Sequence, residues 1–280
     1  MIGAIIGDII GSRFEFNNHR SKDFDLFTKD CRFTDDTVET IAIADAILNQ
    51  KSYKDSLIYW CQKYHDAGFS RRFKSWITNP VPYNSYGNGA LMRISPIGYA
   101  RNHRFKDIES EIYNAVTCSH NNIIAIDCAS ALIHGIKGAL SGDKNEIIRQ
   151  LGFINLNIPT VTELQKTNTF DTTCQGTLPA AVACFIEATD FEDAIRNAVS
   201  IGGDTDTIAN ITGGLAGAYF GIPQEYINKL KDYLPNEMTT IIDKFVIKFD
   251  SIPVPFWADP ANGKLPDEFK FIETKTIFTR

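Results

Sequence analysis

Gly202-Gly203-Asp204-Thr205-Asp206-Thr207-Ile208-Ala209-Asn210-Ile211-Thr212-Gly213-Gly214-Leu215-Ala216-Gly217-Ala218-Tyr219-Phe220-Gly221 is an acidic turn running into small and apolar residues. The pattern predicts a helix over Ile208 to Phe220, with the acids at its N-terminus. Gly213, Gly217 and Gly221 recur every four residues, and Gly3, Gly7 and Gly11 repeat that spacing at the start of the chain. Glycine costs helix stability. At i, i+4 and i+8 it cuts a groove along one face that another backbone can enter closely. The two triplets therefore predict two helices packed together at the centre of the protein, near the acidic residues.

Working outward, apolar residues keep helical spacing in Ile41, Ala44, Ile47 and Leu48, in Leu57, Trp60, Cys61 and Tyr64, in Cys128, Ala131, Leu132, Gly135 and Ile136, and in Phe191, Ala194, Ile195, Ala198 and Val199. Period-two alternation is scarce before Phe269 to Phe278, where a short strand or hairpin is expected after the Pro-rich stretch Ile252 to Pro266. Thr160 to Thr177 is polar and Thr-rich and reads as a long loop. The expectation is an all-α single domain over 1–280, with 248–280 as a Pro-rich C-terminal tail. A chain of 280 residues with 44% hydrophobic content can bury a substantial core.

Composition narrows the function. A formal charge of −6 without a run of Lys or Arg offers no source for the phosphate attraction that drives nucleic-acid binding, so no nucleic-acid partner is expected. Six cysteines lie scattered without a Cys-x-x-Cys pair, several of them inside apolar helical patterns, which favours a reducing cytoplasm. The apolar start Met1 to Gly7 has no basic leader and is broken by Asp8, which argues against a signal peptide. No stretch approaches the ~20 apolar residues of a membrane span, so no membrane partner is expected.

A second acidic cluster, Phe33-Thr34-Asp35-Asp36-Thr37, precedes the helical run at Ile41. Capping is the bland reading, because Thr and Asp accept first-turn amides and a carboxylate there is favoured by the helix dipole. Capping does not explain two carboxylates and two threonines within four residues, twice, since crowded like charges repel unless a cation neutralises them. Metal binding is therefore preferred. The donors are all oxygen, with no His or Cys in either cluster, which selects Mg²⁺, Mn²⁺ or Ca²⁺ over zinc or copper. Four carboxylates are more than one Mg²⁺ usually takes from protein, so two ions are expected.

With both clusters placed, the chain is identified as resembling the ADP-ribosylglycohydrolase family. The resemblance runs in order from Met1 to Pro223. It rests on Gly-Asp-Ile-Ile-Gly-Ser-Arg-Phe-Glu-Phe at 7–16, Phe-Thr-Asp-Asp-Thr at 33–37, Gly-Asn-Gly-Ala-Leu-Met-Arg at 87–93, Ser-His at 119–120 and Gly-Gly-Asp-Thr-Asp-Thr at 202–207. It implies a compact orthogonal helical bundle with a binuclear Mg²⁺ or Mn²⁺ centre. Thr34, Asp35 and Asp36 would bind metal from one side and Asp204, Asp206 and Thr207 from the other, with Asp206 bridging. It also implies Glu15, Asp35 and Asp206 as the catalytic set. Glu15 would sit on a mobile loop near the metals as an acid/base or gating residue, although on its own it reads equally as a solvated charge.

Gly87, Asn88 and Gly89 read by themselves as a turn before a helix, and by resemblance as a diphosphate or ribose contact. Met92 is expected beneath them. Arg93 is open between a structural ion pair and a phosphate contact, and His120 between a structural histidine and a substrate contact. The adenine is expected against aromatics and the 160–177 segment. Some arginine-specific members carry an acid just before Gly-Asn-Gly, where this chain has Ser85 and Tyr86. The function implied is metal-dependent hydrolysis of ADP-ribose from an acceptor, most naturally an ADP-ribosylated arginine or serine of a protein. The alternatives are hydrolysis of a small derivative such as O-acetyl-ADP-ribose and a non-catalytic binding or structural role. A two-metal phosphate-ester hydrolase is disfavoured because such sites usually add His ligands.

Overall fold

The protein is described by a computed structural model over residues 1–100 and 107–249. In chain order its helices are α1 (Ile2–Gly11), α2 (Asp35–Asn49), α3 (Tyr53–Lys63), α4 (Arg71–Thr78), α5 (Gly89–Met92), α6 (Ser95–Tyr99), α7 (Ile108–Thr117) and α8 (Ile123–Leu140). They continue with α9 (Glu146–Phe153), α10 (Val161–Thr167), α11 (Cys174–Ile186), α12 (Phe191–Ser200), α13 (Thr205–Tyr219), α14 (Gln224–Lys229) and α15 (Asn236–Phe249). The fold is all-α. Among the described residues the extended pairings are isolated bridges, Tyr83 with His120 and Gly87 with Thr173.

The centre is the pair α1 and α13. Every residue of α1 is buried. A Cβ on Gly3 would overlap the carbonyl oxygen of Gly213, and one on Gly7 that of Ala209. One on Gly11 would lie 2.5 Å from that of Thr205. Backbone therefore meets backbone along three turns, as the first glycine triplet predicts. The second triplet is only partly a groove. Gly213 faces Gly3, but a Cβ on Gly217 would meet Ile222 and the Tyr99 hydroxyl, and Gly221 lies beyond α13 at φ +76°. That last glycine makes a turn, where a side chain would be strained.

Around this pair, α11, α12 and α8 pack on α13, α2 packs on α3 and α15, and α8 carries α6, α7 and α9. Helix starts follow local chemistry. Ser52, Ser70, Asn122, Thr173 and Asp190 each accept a first-turn amide, and Thr160 and Glu163 form a reciprocal capping box. That box corrects the expectation of one long loop over 160–177, since α10 begins there and α11 begins at Cys174. Only Val161 and Leu164 of α10 are buried, so its apolar face is too narrow to show as a period.

α8 corrects another expectation, being 18 residues long and apolar enough by length and composition to span a membrane. Half of it is buried inside this fold, with Ala125, Cys128, Leu132, Ile133 and Ile136 in the core. α15 runs to Phe249, so the expected tail starts with helix at 248 and 249. The expected strand or hairpin at 269–278 lies outside the described residues.

Candidate active site

The first acidic turn is organised by a residue that the sequence reading passed over. Asp8, buried on α1, accepts the Thr34 hydroxyl at Oδ1 (2.6 Å) and the amides of Thr34 (3.0 Å) and Thr37 (3.1 Å) at Oδ2, together with the Thr37 hydroxyl. Four donors on one carboxylate fix the first turn of α2. Thr34 is its N-cap, accepting the Asp36 amide at 3.3 Å. A lone acid within an otherwise apolar ten-residue helix was the signal available for Asp8.

The second turn needs glycine at two positions, because Gly202 and Gly203 have φ of +66° and +85°. Asn18 accepts the Gly203 amide (2.8 Å) and donates to its carbonyl (3.0 Å), while Asn168 donates to the Gly202 carbonyl (2.8 Å). This delivers Asp204 to the end of α13, where Asn88 Nδ2 donates to its Oδ2 at 2.6 Å. Asp206 then falls in the first turn of α13 and accepts the Thr207 amide at 2.9 Å. Thr207 Oγ1 lies 3.3 Å from Asp36 Oδ2.

Two groups of carboxylates result. Oxygens of Asp8, Asp36 and Asp206 lie within 4.8 Å of one another, as do those of Glu15, Asp204 and Asp206. Asp206 belongs to both. Burial, then Asp206 and Asp8, push the Asp36 carboxyl well up. Burial, then Asp204 and Glu15, do the same to Asp206, and burial with Glu39 and Asp8 raises Asp35. Glu15 is pushed up to about 7 by burial and by Asp204. Asp36 Oδ1 is buried with no hydrogen-bond partner. Repelling carboxylates, an unpartnered acceptor and an all-oxygen donor set fit a hard divalent cation.

All of these carboxylates except Asp8 line a cleft of about 390 Å³. The expected residues Glu15, Asp35, Asp36, Asp204, Asp206, Thr207, Gly87, Asn88, Gly89, Met92 and His120 all reach it. Thr34 does not, and its hydroxyl is committed to Asp8. Asn88 spends its amide on Asp204 and on Thr177 (3.0 Å), so it positions Asp204 as well as lining the cleft. Met92 is part of the wall. Arg93 resolves as a structural ion pair. It is fully buried, 2.9 Å from Glu39, and also donates to the Ala115 carbonyl (3.0 Å) and to Ser119 (2.7 Å).

Phe16, 80% exposed, stacks on Phe170 at the rim, and Thr172 lies beside them, in keeping with aromatics and the 160–177 segment bordering the cleft. Ser85 also lines the cleft and accepts the Gly87 amide at 3.2 Å. Among the described residues lining it, Arg72 is the one cation against six carboxylates. His19, His65 and His134 lie elsewhere, packed with Phe14 and Phe24, beside Asp66 and beside Glu109 respectively. His103 is outside the described residues.

A family model described as ADP-ribosylglycohydrolase matches residues 1–252. The chain is similar to an ADP-ribosylarginine hydrolase, Tri1, of Pseudomonas putida (strain GB-1), at 25% identity over 270 residues, 82% of this chain and 72% of that protein. It is also similar to ADP-ribosylhydrolase ARH3 of Homo sapiens, at 24% identity over 311 residues, 80% of this chain and 85% of that protein. A solved structure described as an ADP-ribosylglycohydrolase-related protein complex superimposes with a TM-score of 0.67 at 23% identity, over 90% of this chain and 96% of that one, and so shares the fold.

Proposed function

The chain belongs to the ADP-ribosylglycohydrolase family, and on that premise we propose that it hydrolyses the glycosidic bond between ADP-ribose and an acceptor side chain, reversing protein mono-ADP-ribosylation on arginine or serine. The observation that carries this reading is the convergence of six carboxylates on one cleft, with Asp36 Oδ1 buried and unpartnered. Asp35, Asp36, Asp204, Asp206 and Thr207 would hold two Mg²⁺ or Mn²⁺ ions, with Asp206 between them. When bound, such ions orient a sugar diol and lower the pKa of water.

The remaining roles belong to the chain. Glu15 stands beside Asp204 and Asp206, and without cations burial and Asp204 push its carboxyl up to about 7. Cleavage passes through an oxocarbenium-like state, and a carboxylate there can protonate the leaving group or activate water. The stacked Phe16 and Phe170 offer an apolar rim where the adenine or the acceptor can rest. An arginine acceptor is supported by similarity to an ADP-ribosylarginine hydrolase, and ADP-ribose as the group released by similarity to ADP-ribosylhydrolase ARH3. A cytoplasmic location is supported by six free cysteines.

The test is release of free ADP-ribose from an ADP-ribosyl-arginine protein, an ADP-ribosyl-serine peptide and O-acetyl-ADP-ribose, each with Mg²⁺, Mn²⁺ or EDTA. Cation-dependent release from one of the first two is expected. Release from O-acetyl-ADP-ribose alone would replace the acceptor, and binding of ADP-ribose without release from any substrate would overturn the catalytic reading.

A further inference from the structure

We propose that Ser119 and Arg93 are positioning residues that fix the tautomer of His120, so that its Nε2–H points past Gly87 and Gly89 into the cleft and donates one hydrogen bond to an acceptor oxygen of ADP-ribose. The ligand in this proposal rests on the function proposed above, whereas the tautomer does not.

The chain of donors runs one way. A guanidinium has only donors. Arg93 is held by Glu39 and by the Ala115 and Val116 carbonyls, and it points Nη2 at Ser119 Oγ across 2.7 Å. Ser119 Oγ therefore accepts from Arg93, and its single proton goes to His120 Nδ1, 2.8 Å away. A ring nitrogen that accepts leaves the proton of a neutral imidazole on the other nitrogen. The neutral form is favoured, since burial and the nearby Arg93 and Arg72 charges hold this imidazole well below its usual range.

The ring cannot turn freely. It lies 5.4 Å from the Tyr83 ring and 6.4 Å from the Phe73 ring, and its backbone is tied to Tyr83 by the Tyr83 amide to Ser119 carbonyl bond (2.9 Å) and the Asn121 amide to Tyr83 carbonyl bond (3.2 Å). Nε2 makes no hydrogen bond among the described residues, although the residue is 95% buried by its 5% exposure. A Cβ at Gly89 would lie 3.4 Å from Nε2 and one at Gly87 3.8 Å. The glycines leave the nitrogen uncovered, which gives Gly87 and Gly89 a purpose that a turn does not, because neither has a positive φ. The same arrangement makes His120 a donor and not a general base.

The test begins with imidazole ¹⁵N–¹H spectra of the free protein, with His120 assigned by its loss in His120→Gln. The expected signature is a protonated Nε2 and an accepting Nδ1. Titration with ADP and then with ADP-ribose should move the Nε2 signal. Movement with both places the acceptor on the diphosphate, and movement with ADP-ribose alone places it on the terminal ribose. Ser119→Ala should mix the tautomers and raise KM roughly five- to tenfold at unchanged kcat, the loss of about one hydrogen bond. His120→Gln, which keeps an N–H at that reach, should bind more tightly than His120→Ala. A proton on Nδ1, an unmoved Nε2 signal while ADP-ribose binds, or Ser119→Ala with tautomer and KM unchanged would each overturn the proposal. The expected tautomer without any ADP-ribose binding would uphold the positioning roles and overturn the proposed function instead.

Discussion

Thr207 Oγ1 donates to Asp36 Oδ2 across 3.3 Å, so two turns that stand 171 residues apart in the chain meet at one hydrogen bond. Asp36 is crowded by its neighbours, with Asp206, Asp8, Asp35 and Asp204 all raising it after burial. Asp36→Asn is therefore expected to have opposite effects on function and on cation-free stability. Hydrolysis should fall on the order of 100-fold or more as a cation ligand is lost, while thermal unfolding in EDTA should move to higher temperature as repulsion is relieved. Paired rate and melting measurements check both. A lower melting temperature in EDTA would mean that the cluster is held by hydrogen bonds and not strained by charge.

Stability without cations should depend on pH with a definite sign. Glu15 and Glu39 are pushed from 4.5 to about 7, both mainly by burial, with Arg93 pulling Glu39 back down. The folded state thus keeps protons that the unfolded chain has released, so unfolding free energy falls as pH rises. This stability is fully present below about 4.5, declines across the interval and is lost above about 7. Urea titrations in EDTA at pH 5 and pH 8 should give the higher midpoint at pH 5, and saturating Mg²⁺ or Mn²⁺ should flatten the difference. A higher midpoint at pH 8 in EDTA would contradict the raised carboxyls.

Asp8 lies one hydrogen-bonded layer behind the cleft, so its replacement should be felt as weakened cation binding. In Asp8→Asn the amide NH₂ would confront donors from Thr34 and Thr37 where the carboxylate now accepts. Cation affinity should drop roughly 10- to 100-fold, as for other residues that orient metal ligands. Calorimetric titration with Mn²⁺ measures it directly. Unchanged affinity would show that the first turn of α2 keeps its shape without this anchor.

The α1–α13 contact yields a stability test with its own control. Gly7→Ala would drive a methyl onto the Ala209 carbonyl, backbone on one side and backbone on the other. It should cost about 3 kcal/mol or more, the upper range for an overpacked core. Gly152→Ala in α9 meets nothing within 4 Å and should instead stabilise by roughly 0.5–1 kcal/mol. Chemical denaturation of the two variants side by side settles the matter, and a Gly7→Ala protein as stable as the parent would remove backbone contact as the reason for the glycines.

Much of this was legible in sequence because it repeats locally. The Gly3, Gly7 and Gly11 spacing and the two Asp-Thr turns carry their geometry within a few residues. Gly221 misled because a four-residue spacing does not say where a helix stops, and α13 ends at Tyr219. α10 was hidden because a helix lying on the surface needs only Val161 and Leu164 to dock. Asp8 escaped notice because its partners, Thr34 and Thr37, are remote in sequence, and only the fold shows the four donors that converge on its carboxylate. The Arg93–Ser119–His120 line is equally non-local, since Arg93 by itself reads as either an ion pair or a phosphate contact.

Asn18 holds both the amide and the carbonyl of Gly203, and its Nδ2 also reaches the Phe14 (2.8 Å) and Glu15 (3.1 Å) carbonyls. The loop carrying Glu15 is thereby hinged on the very turn that presents Asp204. Any displacement of that loop must either unfasten Asn18 or tug the second acidic turn with it. The position of Glu15 and the exactness of the turn that carries Asp204 are, in this chain, settings of a single mechanical linkage.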